Sequence, residues 1–340
     1  MSALTVRRGT RASRAAGLGA VPVLVVLALL PYLVPPAITR PMVGLFALVV
    51  MATMWNLLAG YGGMISVGQQ GFIGIGAYTV LVTDLLGVSP YVGLPLAALA
   101  AAAVALPTTL VVFRLAGGYF AIGTWVVAEV YRLVTVEIGA VGGGSGASLT
   151  GLSGLDPTLR GALTYWCALG AAVLAVGVVV ALLRSRLGLA LTAVRDDPVA
   201  ARSLGVGVEG AKRLVFVIAA AGSGLAGAVI VLDSLRVQPD AIYSVQWSAF
   251  MIFMVVIGGL GTVEGPVLGA LVFFALQQLL EPYGVWYLVV LALVAIAAAV
   301  FARRGLWGLL AGGRDVQLLP TGYRVGPLPA RPRRREEEVS

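Results

Sequence analysis

The sequence predicts an all-α, polytopic integral membrane protein of about ten transmembrane segments, some of them glycine-broken or re-entrant. Composition is the first reason: 59% of the 340 residues are hydrophobic and 11% are charged, against about a quarter charged in soluble domains. Apolar runs of about 20 residues, the length that crosses the hydrocarbon core, recur along the chain. Glycine is abundant, at 45 residues, as in membrane helices whose backbones approach closely. No polar stretch is long enough for a soluble catalytic domain, so an energy-transducing domain must sit on another polypeptide. The single cysteine, Cys167, lies in an apolar run and excludes a disulfide framework or thiolate cluster. Histidine is absent, which removes the commonest general base and metal ligand. The net charge of +8 comes largely from arginines at the termini and in one loop. Membrane topology explains that placement better than nucleic-acid binding does.

In chain order, Arg7, Arg8, Arg11 and Arg14 precede a run at 18–38 that is long for a signal peptide and lacks a following cleavage site. It reads as an uncleaved first span. Further segments fall at 42–59, 65–86, 91–115, 119–138 and 162–183, then at 214–235, 247–258, 266–280 and 285–301. The segments 247–258 and 266–280 are short, and suit a bent hairpin, half-helices or unusual full spans. Six segments separate the N-terminal arginines from the basic loop 184–213, and four more lead to Arg303 and Arg304. All three basic clusters then share the cytoplasm, as the positive-inside rule requires. The expected organisation is a basic cytoplasmic N-terminus (1–16), a permease domain (17–302) and a cytoplasmic disordered tail (303–340) rich in Pro and Arg. A tail without function is the preferred reading, with contact of its arginines to anionic lipid headgroups as the alternative. The glycine-rich region 142–157 is expected as an outward loop of flexible composition.

Within the basic loop, Arg195-Asp196-Asp197-Pro198-Val199-Ala200-Ala201-Arg202-Ser203-Leu204-Gly205 encodes a short helix. Asp197 suits the N-cap, Pro198 the first helical position and Gly205 the left-handed residue after the end. Two turns are too short to be stable alone. The helix is either a docking element for a partner or a structured connector, and the loop alone leaves both open. The region 56–78 places Ser66, Gly68, Gln69, Gln70, Gly71, Phe72, Gly74 and Gly76 at membrane depth. Such loosened helices line substrate pathways in transporters. Small-residue packing also explains the glycines but not Ser66, Gln69 and Gln70, so a pathway is the preferred reading. A second block holds Gly258, Gly259, Gly261, Gly265 and Pro266, a texture expected of a duplicated transporter core. Glu129 and Arg132, three apart on one predicted helix, form an intramembrane pair that fixes packing or lines the route. Asp84, Asp233, Glu264 and Glu281 fall near predicted ends, within reach of headgroups or water. No row of carboxylates forms a proton relay.

Four ordered blocks resemble the permease subunits of ABC importers for branched-chain amino acids, in particular the longer of the two paired permeases. They are WNLLAGYGGMISVGQQGFIGIGAY (55–78), GGYFAIGTWVVAEVYRLV (117–134), SRLGLALTAVRDDPVAARSLGVGVEGAKRLVFVIAAAGSGLAGA (185–228) and VIGGLGTVEGPVLGA (256–270). The third contains the loop that engages the ATPase in that family. Ala200, Ala201 and Gly205 keep its Ala-Ala-x-x-x-Gly spacing, whereas Val199 stands at the usual Glu position and Asp196 and Asp197 supply acid upstream.

The resemblance implies an assembly with a second permease, two cytoplasmic ABC ATPases and an extracytoplasmic solute-binding protein, in a bacterial inner membrane. Arg195, Asp196, Asp197, Pro198, Ala200, Ala201 and Gly205 would then couple this chain to the motor. ATP would be bound on the partner, so the chain is expected to carry no cofactor, metal or catalytic residue of its own. Related systems carry branched-chain amino acids, urea or amides. A stand-alone channel or ion-coupled carrier is the alternative. A membrane enzyme is disfavoured because neither histidine nor clustered carboxylates are available.

Overall fold

Prolines divide the first two spans in the computed structural model, which describes residues 4–7, 11–284, 286–302, 305–311, 318 and 324–327. Strand β1 (Leu4–Arg7) precedes α1 (Arg11–Leu33), and α2 (Pro36–Asn56) begins with Pro36 in its first turn. The expected run 18–38 is therefore two helices. A residue before proline is pushed out of the helical region, and the fixed φ of proline suits a helix start. After α2 the chain widens into a π-helical turn, Leu57–Tyr61, giving one 26-residue span, Pro36–Tyr61. The expected segment 65–86 is also shortened: α3 covers Gln69–Leu85, and Gly63 takes a left-handed φ of 65° in the irregular stretch before it.

Helices α4 (Gly93–Val112), α5 (Gly118–Glu137) and α6 (Pro157–Arg184) follow, with a short strand β2 (Ala147–Ser148) between the last two. The basic loop folds as α7 (Arg186–Asp196) and α8 (Pro198–Ser203). Next come α9 (Val208–Ser234), β3 (Arg236–Val237), α10 (Pro239–Ile242), α11 (Gln246–Gly258) and α12 (Glu264–Leu280). Helices α13 (Trp286–Phe301) and α14 (Gly305–Leu310) and strand β4 (Arg324–Pro327) complete the described elements. Every expected segment meets a helix. Seven helical stretches among the described residues are long and apolar enough to cross a membrane; Gly19–Leu33 and Trp286–Phe301 are apolar but shorter. The two segments that look short in sequence extend to Pro239–Gly258 and Glu264–Tyr283, 20 residues each.

The core forms around α2, whose most apolar window is 89% buried, with α6, α9, α11 and α12 against it. Helix α3 packs on α4, α5 and α9. Glycine permits that closeness: a Cβ on Gly76 would collide with the Gly224 carbonyl, and one on Gly227 with the Ile73 carbonyl.

Two ends of the bundle are pinned differently. At one, β2 pairs antiparallel with β3 through Ala147↔Val237 and Ser148↔Arg236. There Asp84, expected to reach water, is buried instead and accepts the backbone N–H groups of Thr150 (2.7 Å) and Gly151 (2.8 Å). The loop of flexible composition is therefore anchored. Asp156 caps α6 by accepting from Thr158 and Leu159, and these backbone donors, Leu159 foremost, hold its carboxyl below the usual range. Asp84→Ala would remove the charged acceptor of two backbone N–H groups and is expected to cost about 1.5–3 kcal/mol, the range for a hydrogen bond to a charged group. Thermal unfolding of the detergent-solubilised protein checks this, and an unchanged midpoint would remove Asp84 as the anchor.

At the opposite end lie α7, α8 and the turn between α11 and α12, and Gly305 at the start of α14 packs against Gly259. The basic loop and the end of α13 thus share one end, as the segment count predicts. Arg303, Arg304, the Arg8 site and most of the tail, including 328–340, lie outside the described residues. Within the expected disordered tail, Arg324–Pro327 instead forms a strand paired with Leu4–Arg7.

Candidate functional site

The short helix α8 is built as its residues dictate. The Asp197 carboxylate accepts from Val199 N (2.8 Å) and Ala200 N (3.0 Å), and Pro198 occupies the first turn. At the other end Val206 N donates to Ala201 O and Gly205 N to Arg202 O, both at 3.0 Å, with Gly205 at φ 82°. This pair of bonds around a left-handed glycine is the Schellman closure. Ala201 is buried with Val194 and Val208 in a small separate apolar cluster. Val199 and Leu204 remain 76% and 80% exposed, so the helix shows an apolar outer face. Arg202 lies 3.7 Å from Glu209, with both side chains exposed.

Sequence reasoning missed α7. Its signals were available: Ser185 accepts from Leu187 N as N-cap, and Gly188, Leu191 and Val194 form its buried stripe. The helix has a consequence for Arg195, which stays solvent-accessible while one guanidinium nitrogen reaches the membrane domain. Its Nη1 donates to the Gly60 carbonyl in the π-turn (3.1 Å), while Nε and Nη2 hold Asp196 at 3.0 and 2.9 Å. The π-turn is itself fastened to the late glycine block by Asn56, which the sequence did not single out. Its Nδ2 donates to Thr262 O (2.7 Å) and its Oδ1 accepts from Gly261 N (2.8 Å). A Cβ on Gly60 would meet both Asn56 and the Gly261 backbone. Arg195, the first glycine block and the second glycine block therefore meet at one joint.

The late block is a tight turn between α11 and α12. Gly259 and Gly261 have φ of 128° and 76°, and Gly258 and Gly265 pack too closely for side chains. Thr262 Oγ1 donates to Gly259 O and accepts from Gly265 N. Pro266 falls in the first turn of α12, where its missing N–H breaks no helical bond.

Deeper in the bundle, Ser66, Gln69 and Gln70 are fully buried. Gln69 donates to Ser66 Oγ (3.4 Å) and accepts from Ser223 of α9 (3.1 Å), and Ser248 of α11 donates to Gln70 Oε1. Thr124 of α5 accepts from Val67 N (3.1 Å), and Trp55 Nε1 donates to the Ser66 carbonyl (2.8 Å). A polar seam thus joins α3 to α2, α5, α9 and α11 at the break in the helix. The neighbouring glycines serve close packing: Gly68 against Thr124, Gly71 against Ala128, Gly74 against Tyr243 and Gly76 against Gly224. Phe72 sits in an aromatic cluster with Tyr131 and Phe216.

Glu129 and Arg132 pair as their spacing predicts, with Arg132 Nε and Nη2 donating to Glu129 Oε1 at 2.9 and 2.6 Å. Arg132 Nη1 also reaches Asp240 at 2.6 Å. The pair therefore ties α5 to α10.

Comparison with known proteins bears on what these parts serve. Residues 38–300 match the family described as branched-chain amino acid transport system, permease component. The chain belongs to this family. It is also 30% identical to the high-affinity branched-chain amino acid transport system permease protein LivM of Escherichia coli and to that of Salmonella typhimurium, covering 74% of this chain. The matched part spans 65% of each relative's own length. No solved structure matches significantly. Family membership and the seven apolar spans make the chain a multi-pass membrane protein of this family. Both glycine blocks and the α7–α8 loop lie inside the matched region.

Proposed function

We propose that this chain is one permease of an ATP-driven ABC importer for branched-chain amino acids or similar small polar solutes, assembled with a second permease, two cytoplasmic ATPases and an extracytoplasmic binding protein. The observation that carries the reading is the joint around Arg195. A docking helix whose neighbour bonds the first glycine-broken segment at Gly60, with Asn56 linking that segment to the second, gives a motor a mechanical route into the membrane domain. In this reading α7 and α8 lie in the cytoplasm with both termini, and the β2–β3 end faces outward. Asp197, Pro198, Ala200, Ala201 and Gly205 build the docking helix. Val199 and Leu204 make its contact face, replacing an acidic contact with an apolar one. ATP closure of the ATPases shifts α8, and Arg195 passes the shift to Gly60. The polar seam of Ser66, Gln69 and Gln70 then parts, opening the route alternately to each side. Hydrolysis belongs to the partner ATPases.

Proteoliposomes holding the assembled complex test this: leucine uptake should require ATP and the ATPases and survive collapse of ion gradients. Uptake that persists without the ATPases, or stops with the gradients, would establish a channel or ion-coupled carrier instead. Docking has its own test. Leu204→Asp and Val199→Lys alter only exposed positions and should abolish co-purification of the ATPases; full retention would remove α8 as the socket.

A further inference from the structure

Arg40 of α2 and Asp233, in the last turn of α9, line the same two cavities, of about 250 and 220 Å³. The guanidinium lies within electrostatic reach of the half-buried carboxylate. Yet no hydrogen bond or ion pair joins the two among the described residues. Asp233 also sits at the helix end whose dipole opposes a negative charge. The two opposite charges thus line the same cavities without pairing directly, Arg40 exposed and Asp233 half-buried. The larger cavity continues between them and an apolar wall that includes Leu48, Met51 and Phe250, with Glu281 a second carboxylate at its edge.

We propose that this cleft binds the backbone zwitterion of an aliphatic α-amino acid. The planar guanidinium of Arg40 takes the carboxylate through paired N–H donors. Asp233, with Glu281 beside it, takes the ammonium, and the aliphatic side chain rests on Leu48, Met51 and Phe250. At about 30 Å³ per displaced water, 250 Å³ suits a solute of this size. Neither urea nor a neutral amide satisfies the two charges. The inference rests on the proposed function for its placement. The cleft is at the β2–β3 end, where α2 begins and α9 and α12 finish, and that end receives solute from the binding protein. An ethanolamine phospholipid headgroup carries the same two charge signs and is the competing occupant that the test distinguishes.

The test uses the intact complex in nanodiscs, without binding protein or ATP, and follows equilibrium binding of radiolabelled leucine. Arg40→Gln and Asp233→Asn should each weaken binding by about tenfold to a hundredfold, the range for a hydrogen bond to a charged group. Arg40→Lys should restore part of the loss. Isovalerate and isopentylamine, each with one of the two charges, should compete poorly. Binding should be equal in phosphatidylcholine discs with and without phosphatidylethanolamine. Unchanged leucine binding in both correctly assembled variants, or no binding by a wild-type complex that still imports leucine, would overturn the proposal. Binding suppressed by phosphatidylethanolamine would assign the cleft to lipid. A complex that binds leucine through Arg40 and Asp233 but transports nothing would uphold the cleft and overturn the proposed function alone.

Discussion

Under the proposed function, Arg195→Met is expected to leave the ATPases bound and hydrolysing ATP while ATP-driven uptake falls. Methionine keeps much of the length and the apolar packing but removes the donor to Gly60 O and the pair with Asp196. A coupling free energy of ~1–3 kcal/mol corresponds to about a 5–150-fold change, and a loss of uptake in that range is expected. Arg195→Lys should recover little, because a point charge does not reproduce the forked contact to Gly60 and Asp196 together. Asn56→Leu should give the same split, since it frees Gly261 N and Thr262 O from the π-turn. The decisive measurement is the ratio of solute moved to ATP consumed. If that ratio is unaltered in both Arg195→Met and Asn56→Leu, the joint does not transmit the motor's movement.

Gly227→Val should give no correctly folded protein, and Gly76→Val the same. Each new side chain would have to enter a neighbouring backbone carbonyl, at Ile73 and Gly224 respectively. Ordinary overpacking costs about 1–3 kcal/mol when side chains can yield; here backbone must move, so the cost lies above that range. Gly177→Ala in α6 is the contrast, because nothing lies within 4 Å of its added Cβ. Alanine there should be neutral or stabilising by up to about 1 kcal/mol. Folded yield by size-exclusion chromatography separates the three variants. Wild-type yield of Gly227→Val would mean that α3 and α9 are not held by this contact.

Much of the fold is legible in the sequence because its causes are local. Asp197, Pro198 and Gly205 specify both ends of α8 without help from the rest of the chain, and Glu129–Arg132 follows from helical spacing alone. The break at Pro35-Pro36 is also local, but length and hydropathy mask it when apolar residues run on both sides. The candidate site was only half legible. Ser66, Gln69 and Gln70 stand out as polar residues in an apolar stretch, yet their partners Ser223, Ser248 and Thr124 look unremarkable within their own helices. Asn56 is a single amide beside a tryptophan until Gly261 and Thr262, 205 and 206 positions away in the chain, approach it. Arg195 reads as one basic residue among several until α7 brings its guanidinium to the Gly60 carbonyl. Contacts of that kind depend on tertiary placement and leave no periodic trace in sequence.

The burial of α2 has a consequence for how the protein is made. The helices that enclose it, α6, α9, α11 and α12, all follow it in the chain and so are made later. Asn56 cannot meet Gly261 and Thr262 until the chain beyond residue 262 has been inserted. Until then a helix bearing Thr53 and Asn56 waits in the bilayer with its future interior face uncovered, a polar cost that favours sheltering by the insertion machinery. The centre of this permease is thus laid down early and sealed late, and a ribosome stalled near residue 250 would leave it open to membrane proteases.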